Sequence, residues 1–579
     1  MSAVLEAREP TARYLEVVQP ALVNQFGLLA TAPGGVARLR ELILRLAVQG
    51  KVVPQDPTDE TAHELLEKMR GERDRLIETG TVKPPKLPKG VVEDEAPYEI
   101  PAGWCWAPLA DLVRVLNGRA YAKHELLDAG PTPVLRVGNL FTSNHWYYSN
   151  LCLEPDKLCK PGDLLFAWSA SFGPFIWDGP EAIFHYHIWK LDPIAPQLFD
   201  TQYLHLFLRE KTAEIKAAGH GVSMVHLTKE KMERIPVPWP PLAEQARIVA
   251  RVDELMRLCD ALEAQGRLEA EQHARLLGTL LDTLTDSSTP EELAANWQRV
   301  ADQFDLLLDR PEAVDALEQT ILQLAVRGLL VQQDPSDEPA SELLGRIAVD
   351  RSRLIAEGKV AKRATSEATA QVVAPFDIPT SWLWVEFADY IHELCTGPFG
   401  SVIHKEDYVQ GGVPLINPSH MIDGAIRHDP NVSVSRDLAN RLGAYRLSAG
   451  DVLMARRGEV GRYALVTERE AGWLCGTGSF FVRLASFCNR DYFGLMLEDP
   501  RLRAHLLGES VGATMTNLNQ RILLQAPIAV PPLNEQARIV ARVAEIRRLC
   551  ADLRNRLERG SRVQTALAVG LVDQALASQ

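Results

Sequence analysis

The chain is written twice. Ile43 has its counterpart at Ile321, Asp56-Pro57 at Asp334-Pro335, and Trp104 and Trp106 at Trp382 and Trp384, each pair 278 positions apart (321 − 43). That register runs unbroken from Gln25/Gln303 to about Val113/Ile391. It resumes at a new offset, where Glu244-Gln245-Ala246-Arg247 answers Glu535-Gln536-Ala537-Arg538, 291 apart (535 − 244). Two similar frames therefore enclose two dissimilar inserts, whose lengths differ by 13 residues (291 − 278). A repeat of this kind folds as two copies of one plan. A doubled scaffold around unlike inserts suits a molecule that reads two different things at a fixed separation.

A chain of 579 residues exceeds one core, and the length alone suggests about four domains. The eight cysteines form no C-x-x-C, and Cys152 and Cys159 lack a partner pair at zinc-finger spacing. Reduced, packed thiols in a cytoplasmic protein are the expectation. Residues Met1 to Pro10 carry acids and no apolar run, so no signal peptide is expected. No uncharged apolar stretch approaches the length of about 18 residues that a membrane span needs. The net charge of −14 argues against a general nucleic-acid binder. It leaves room for a local one. The insert 99–240 has 13 basic and 15 acidic residues (net −2), the insert 377–531 has 14 and 17 (net −3), and the frames hold most of the acid excess.

Each half reads helix, polar strap, insert, helix. Val36, Leu39, Ile43 and Leu46, stopped by Gly50, and Val314, Leu317, Ile321 and Leu324, stopped by Gly328, form one apolar stripe per helix. A second helix follows near Ala62–Ile77 and Ala340–Ile355, then exposed connections over Thr81–Pro97 and Lys359–Pro375. Inside the inserts the period shifts to short alternating or apolar runs: Pro133–Val137, Asp163–Ala167 and Ile183–Leu191, then Pro414–Asn417, Asp451–Ala455 and Phe480–Leu484. Each insert ends in Pro-Pro-Leu, and a long helix begins. Ile248, Val252, Leu255, Cys259 and Leu262 step by 4-3-4-3, as do Ile539, Val543, Ile546, Cys550, Leu553 and Leu557. That 3.5-residue repeat is a coiled-coil seam; an amphipathic helix lying on its own globule is the plainer alternative. Roughly 40 helical residues span about 60 Å, more than one DNA turn of about 34 Å.

Several chemistries are missing. The chain has no phosphate loop of the form G-x-x-x-x-G-K-[ST] and no H-E-x-x-H. Asn417-Pro418-Ser419-His420 has a superficial likeness to the base-holding loop of amino-methyltransferases, but it lacks the second proline and the aromatic. His185 and His187 flank Tyr186 on an expected strand and would share a face. Polar surface or a DNA contact fits them better than a metal pair without a third ligand.

These motifs, in order and twice over, resemble the specificity subunit of type I restriction–modification systems. Leu46-Ala47-Val48-Gln49-Gly50, with Gln55-Asp56-Pro57 and Glu64-Leu65-Leu66, resembles that family's repeated segment and recurs from Leu324 to Leu344. Ile100-Pro101-x-x-Trp104-x-Trp106 and Ile378-Pro379-x-x-Trp382-x-Trp384 resemble the entry to its recognition domains. Gly162-Asp163-Leu164-Leu165-Phe166-Ala167-Trp168 and Gly450-Asp451-Val452-Leu453-Met454-Ala455-Arg456 resemble its central strand. Pro240-Pro241-Leu242-x-Glu244-Gln245 and Pro531-Pro532-Leu533-x-Glu535-Gln536 resemble its exit. The likeness covers about residues 25–560.

The resemblance implies an α+β fold: two α/β target-recognition domains with curved sheets, separated by two long antiparallel helices in a coiled coil, with a pseudo-twofold repeat. The implied division is an N-terminal extension 1–24, a helical region 25–98, a recognition domain 99–240, a central helical region 241–376, a second recognition domain 377–531 and a final helix 532–579. The implied function is to read a split, asymmetric site on double-stranded DNA without catalysis. Two methyltransferase subunits using S-adenosylmethionine would dock on this scaffold, with restriction subunits using ATP and Mg; no cofactor or metal is expected in this chain. A coiled-coil adaptor for proteins, or service in a modification-only system, is the alternative.

Reading bases needs side-chain donors and acceptors on loops. In the first insert the candidates are Arg136, Asn139, Trp168, Ser169, Ser171, Ser223 and His226, with Lys229 as a phosphate contact. In the second they are Asn417, Ser419, His420, Arg456, Arg457, Arg462, Thr514, Asn517, Asn519 and Arg521. Adjacent arginines favour guanine or phosphate. Trp104, Trp106, Trp382 and Trp384 are expected in the core, and packing competes with DNA contact for Trp168.

Overall fold

The computed structural model describes residues 26–80, 96–168, 172–218, 228–287, 289–361, 374–398, 402–458, 461–508 and 518–577. The chain divides into two compact units, one of residues 1–269 with 561–579, the other of residues 270–560. No helix among the described residues is long and apolar enough to cross a membrane. The N-terminal extension and most of both polar connections lie outside the described residues.

In the first unit, helix α1 (Gly35–Val48) buries Leu39, Ile43 and Leu46 along the expected stripe. Full burial of such side chains stabilises by about 1.5–3 kcal/mol each. The helix stops where Gly50 takes a φ of +73°, open to glycine at little cost. Helix α2 (Ala62–Glu78) starts on a capping box: Thr61 Oγ1 accepts from the Glu64 N–H, and Glu64 returns a carboxylate to the Thr61 N–H. The long helix α3 (Leu242–Thr285) adds Ile248, Val252, Leu255 and Cys259 to the same core.

The second unit repeats the plan. Helix α4 (Pro311–Val326) buries Val314, Leu317, Ile321 and Leu324, and helix α5 (Ala340–Ala356) follows. The long helix α6 (Leu533–Ala577) buries Ile539, Val543 and Cys550. The heptad stripe has more than one partner. In the first unit it shares a core with α1 and with Ala568 and Val572, near the end of α6. In the second, Ile546 and Leu553 pack with Leu317 and Ile321 of α4 and with Leu277, Leu281 and Leu284, near the end of α3. Within each unit, then, the beginning of one long helix is cored with the end of the other, an antiparallel arrangement, and the short proximal helix covers both. Between the long helix and α4 the chain forms the helix Pro290–Asp302, capped by Thr289, and the short turn of helix Phe304–Leu307.

Ion pairs join proximal to long helix in each unit, with their signs exchanged; in the second, Arg547 also lies 3.1 Å from Glu318. Arg40 of α1 lies 2.5 Å from Asp260 and 2.9 Å from Glu263 of α3. The register equivalents of Arg40 and Glu263 are Glu318 (40 + 278) and Arg554 (263 + 291). Those two also pair, with Arg554 3.2 Å from Glu318 and 2.5 Å from Asp315.

The repeated Glu-Gln-x-Arg motif pins each long helix to its insert. The buried Glu244 carboxylate accepts from Trp104 Nε1 at 3.0 Å and Gln55 Nε2 at 2.6 Å. Glu535 accepts from Trp382 Nε1 at 2.9 Å and Gln333 Nε2 at 2.5 Å. Buried Gln245 and Gln536 donate to the carbonyls of Pro240 and Pro531, both at 3.0 Å. Arg247 pairs with Asp59 at 2.5 Å and Arg538 with Asp337 at 2.6 Å. Trp104 and Trp382 are buried; Trp106 and Trp384 are half-buried.

An antiparallel ribbon closes the neck of the first insert: β1 (Cys105–Pro108) pairs with β10 (Pro236–Trp239). Between them lie two four-stranded sheets. One has the order β2 (Val113–Asn117), β9 (Ile188–Pro193), β6 (Leu164–Ala167), β7 (Gly173–Ile176). The other has the order β4 (Tyr147–Ser149), β3 (Thr132–Leu135), β8 (Ala182–Phe184), β5 (Leu158–Cys159). The second insert has the same neck, β11 (Leu383–Glu386) with β21 (Pro527–Val530). Its main sheets are β12 (Glu393–Thr396), β20 (Ser479–Arg483), β17 (Val452–Ala455), β18 (Tyr463–Leu465), and β16 (Ser433–Val434), β13 (Tyr408–Ile416), β19 (Leu474–Cys475). A hairpin of β14 (Met421–Ile422) and β15 (Ala425–Ile426) completes it.

One expectation fails here. Ile183–Leu191 is not one strand. It breaks at His185–His187, where the chain leaves the sheet of β8 and enters that of β9. His185 and His187 therefore do not share a strand face. The second insert makes the same crossing at residues 476–478, between β19 and β20.

Candidate DNA interface

Backbone hydrogen bonds bring three chain segments of the first insert to one rim: the end of β3, the end of β6 and the β8–β9 crossing. Strands β3 and β8 run parallel with Leu135 beside Phe184, so Arg136 and His185 leave the sheet together. The Trp168 N–H donates to the His187 carbonyl at 3.1 Å, which brings the end of β6 to the same place. Beneath the crossing, a Cβ on Gly118 would lie 2.3 Å from the His185 carbonyl, so only glycine fits that close approach.

The second insert repeats each of these contacts. Strands β13 and β19 run parallel with Ile416 beside Cys475, so Asn417 and Gly476 emerge together. The Arg456 N–H donates to the Gly478 carbonyl at 2.9 Å. Gly397 stands where Gly118 does, its Cβ position 2.1 Å from the Gly476 carbonyl. Arg136 thus corresponds to Asn417, Trp168 to Arg456, and His185-Tyr186-His187 to Gly476-Thr477-Gly478. One backbone presents two unlike sets of side chains.

The first rim is aromatic. Trp168 is committed to packing: its Nε1 donates to the Tyr186 carbonyl at 2.9 Å, and its ring stacks on Trp189 at 5.6 Å. It shapes the crossing from below. Tyr186 is 39% exposed and is the outermost ring of the turn. His185 and His187 are half-buried beside it, 4.9 Å apart between ring centroids. Burial, with help from His187 and Arg136, pushes the His185 pKa down to about 4, and burial lowers that of His187. Neutral imidazoles offer one donor and one acceptor. Arg136 is exposed, its guanidinium 5.2 Å from the centre of the Tyr147 ring.

The second rim is cationic. Arg456 lies over Phe480 at 5.4 Å, the place Trp168 takes over Trp189, and burial with Arg457 lowers its pKa. Arg457 is exposed, and among the described residues no carboxylate pairs with it.

Other candidates serve the backbone. Asn139 is used at both ends: Oδ1 accepts from the Arg136 N–H at 3.1 Å, and Nδ2 donates to the His145 carbonyl at 2.8 Å. His420 is buried, its Nδ1 accepting from the Asn417 N–H at 3.2 Å, while Ser419 beside it is exposed. Asn519 caps the helix Gln520–Leu524 through the Ile522 N–H at 2.9 Å, and Arg521 is exposed on that helix. Lys229 is exposed, 3.5 Å from Glu233 on its own helix. Arg462 lines a cleft with Met421, Asp423, Glu498 and Arg547. Ser169, Ser171, Ser223, His226, Thr514 and Asn517 lie outside the described residues.

Sequence reasoning offered a DNA contact for His185 and His187 but did not single out Tyr186, which the crossing turn carries outermost. The available signal was the polar interruption His-Tyr-His inside an apolar run.

The sequence profile of the type I restriction modification DNA specificity domain matches residues 101–272 and 391–559. The chain is 31% identical over 577 residues to the type I restriction enzyme EcoEI specificity subunit of Escherichia coli, covering 94% of each. It is 31% identical over 580 residues to the EcoAI specificity subunit of the same organism, again covering 94% of each. Among solved structures it resembles the HsdS subunit from Thermoanaerobacter tengcongensis, with 18% identity, a TM-score of 0.37, and coverage of 83% of this chain and 98% of that one. The match of both inserts to one specificity-domain profile, with likeness over nearly the whole length of two subunits, places this chain in the family of type I restriction–modification specificity subunits.

Proposed function

We propose that this chain is the non-catalytic, cytoplasmic component that reads an asymmetric, two-part site on double-stranded DNA, one half through each insert. Two adenine methyltransferase subunits carrying S-adenosylmethionine dock on its frames, and restriction subunits supply ATP- and Mg-dependent cleavage. The observation that carries the reading is the shared backbone of the two rims, which hold unlike side chains at matching positions. Side chains on one scaffold can address different base edges without changing how the scaffold meets the groove. The length of the two long helices sets the number of unspecified base pairs between the halves.

Mapping methylated adenine in a host with and without the gene tests this directly. A two-part motif that vanishes with the gene is the expected result. Replacing residues 377–531 with the insert of another subunit should change one half of the motif only. Methylation of the original whole motif by that hybrid would refute the assignment of reading to the inserts. Binding to a duplex carrying the motif, in the presence of the methyltransferase subunit, should fall steeply with salt.

A further inference from the structure

At the two equivalent rims the side chains sit on different segments. In the first insert the crossing turn is loaded with His185, Tyr186 and His187, while the strand end beside it is spent on Trp168, whose indole is fixed to Trp189 and to the Tyr186 carbonyl. In the second insert the crossing turn is nearly bare, Gly476-Thr477-Gly478, and the strand end carries Arg456 and Arg457. The bare turn has a steric reason. A Cβ at Gly476 would lie 2.7 Å from the Ile416 carbonyl oxygen and 2.3 Å from Asn417 Oδ1, so the backbone there admits only glycine. In the first insert Arg136 stands in the place of Asn417, its guanidinium 5.2 Å from the centre of the Tyr147 ring.

We propose that the crossing turn, through Tyr186 and His187 with Arg136 alongside, is the base-reading element of the first insert, whereas the second reads from its strand end through Arg457. This rests on the proposed function above and names the residues that carry it. The ligand is the major-groove edge of a duplex half-site. A phenol and neutral imidazoles supply short-range donors and acceptors, whose energy depends on which base faces them. The shift of His185 to about 4 keeps that imidazole uncharged at neutral pH, so it adds direction rather than phosphate attraction. Arg457, exposed and unmatched by a carboxylate among the described residues, suits guanine O6 and N7.

The test uses the full chain with its methyltransferase partner, read by adenine methylation of the host genome. Tyr186→Phe, Tyr186→Ala and His187→Asn should each relax base preference by about tenfold or more at one or two positions of one half-site. The other half and the salt dependence of binding should stay unchanged. Arg457→Ala should relax the opposite half. Unchanged preference in all three turn variants would overturn the proposal. So would a uniform loss over all sequences with a shallower salt dependence, which marks a phosphate contact. If Tyr186→Ala yields no soluble complex, Tyr186→Phe, which removes only the hydroxyl, carries the test with His187→Asn. Absence of any two-part motif in the wild type would instead refute the proposed function, so the two failures are distinguishable.

Discussion

The two buried glutamates make a controlled experiment inside one molecule. Glu244 and Glu535 each hold an indole N–H and a glutamine amide, and burial raises the pKa of both carboxyls. Replacement by glutamine removes a buried charge, which helps, and halves the strength of charge-assisted bonds, which costs about 1 kcal/mol. It also turns one acceptor oxygen into a donor. In the first unit this is harmless. Gln55 is exposed, and its neighbour across the turn is Gly103, so its amide can flip. In the second unit Gln333 is held: its Oε1 accepts from Ser381 Oγ at 3.0 Å, and its Nε2 also reaches the Gly328 carbonyl at 3.3 Å. A flip would only reverse the Ser381 bond, since a hydroxyl also accepts, but it would turn Oε1 onto the Gly328 carbonyl. E535Q therefore leaves two amides facing donor to donor, costing about 1–3 kcal/mol. E244Q should lie within about 0.5 kcal/mol of wild type, since gain and loss there are of similar size. Hydrogen exchange in denaturant, followed separately on peptides of each unit, measures the difference. Adding Ser381→Ala to E535Q should recover little, because the Gly328 carbonyl still holds the Gln333 amide. Equal costs for E244Q and E535Q, or full recovery on Ser381→Ala, would show that the Gly328 carbonyl is not what holds the amide.

Gly50→Ala should destabilise the first unit by about 2 kcal/mol or more, because φ is +73° and the new Cβ would meet Pro101 Cγ at 2.5 Å; denaturant unfolding reports it. Acid should weaken the first unit. Burial holds His185 and His205 at about 4, below the ordinary value of about 6.5, so the unfolded chain binds more protons between those limits. Their contribution is complete above pH 6.5 and is lost as pH falls toward 4; His205→Gln should flatten that slope. Glu244 and Glu535 have the opposite sign, their raised pKa adding stability as pH falls through it. Arg40→Glu should cost about 1 kcal/mol, and Glu263→Arg on top of it should restore most of that, as read by a double-mutant cycle.

The frames were legible because their constraints are local and repeated. Leu39-Ile43-Leu46 shows its period without any partner in view, and the helix is there. All four tryptophans of the Trp-x-Trp entries were expected in the core; Trp104 and Trp382 are, sealed by Glu244 and Glu535, while Trp106 and Trp384 are only half-buried. The rim was less legible. Alternation along Ile183–Leu191 announces extended chain but does not say which sheet each half joins, and the turn at 185–187 comes from that change of sheet. Polar residues chosen as readers split for a physical reason. Asn139, His420 and Asn519 lie where backbone N–H groups need acceptors, and they supply them. No composition rule separates an asparagine that caps from one that reads. Trp168 and Arg456 occupy matching, half-buried places, yet one is fixed by packing on Trp189 and the other carries charge to the rim.

The exchanged signs of Arg40–Glu263 and Glu318–Arg554 bear on how such genes recombine. A crossover in the connections flanking an insert leaves each proximal helix with the long helix it matches. A crossover inside the frames that put α4 in the place of α1 would set Asp315 and Glu318 against Asp260 and Glu263, four carboxylates on one seam. The reciprocal product would set Arg40 against Arg554. New target preferences can therefore be acquired by trading heads, while the two struts of this duplicated gene have ceased to be spare parts for one another.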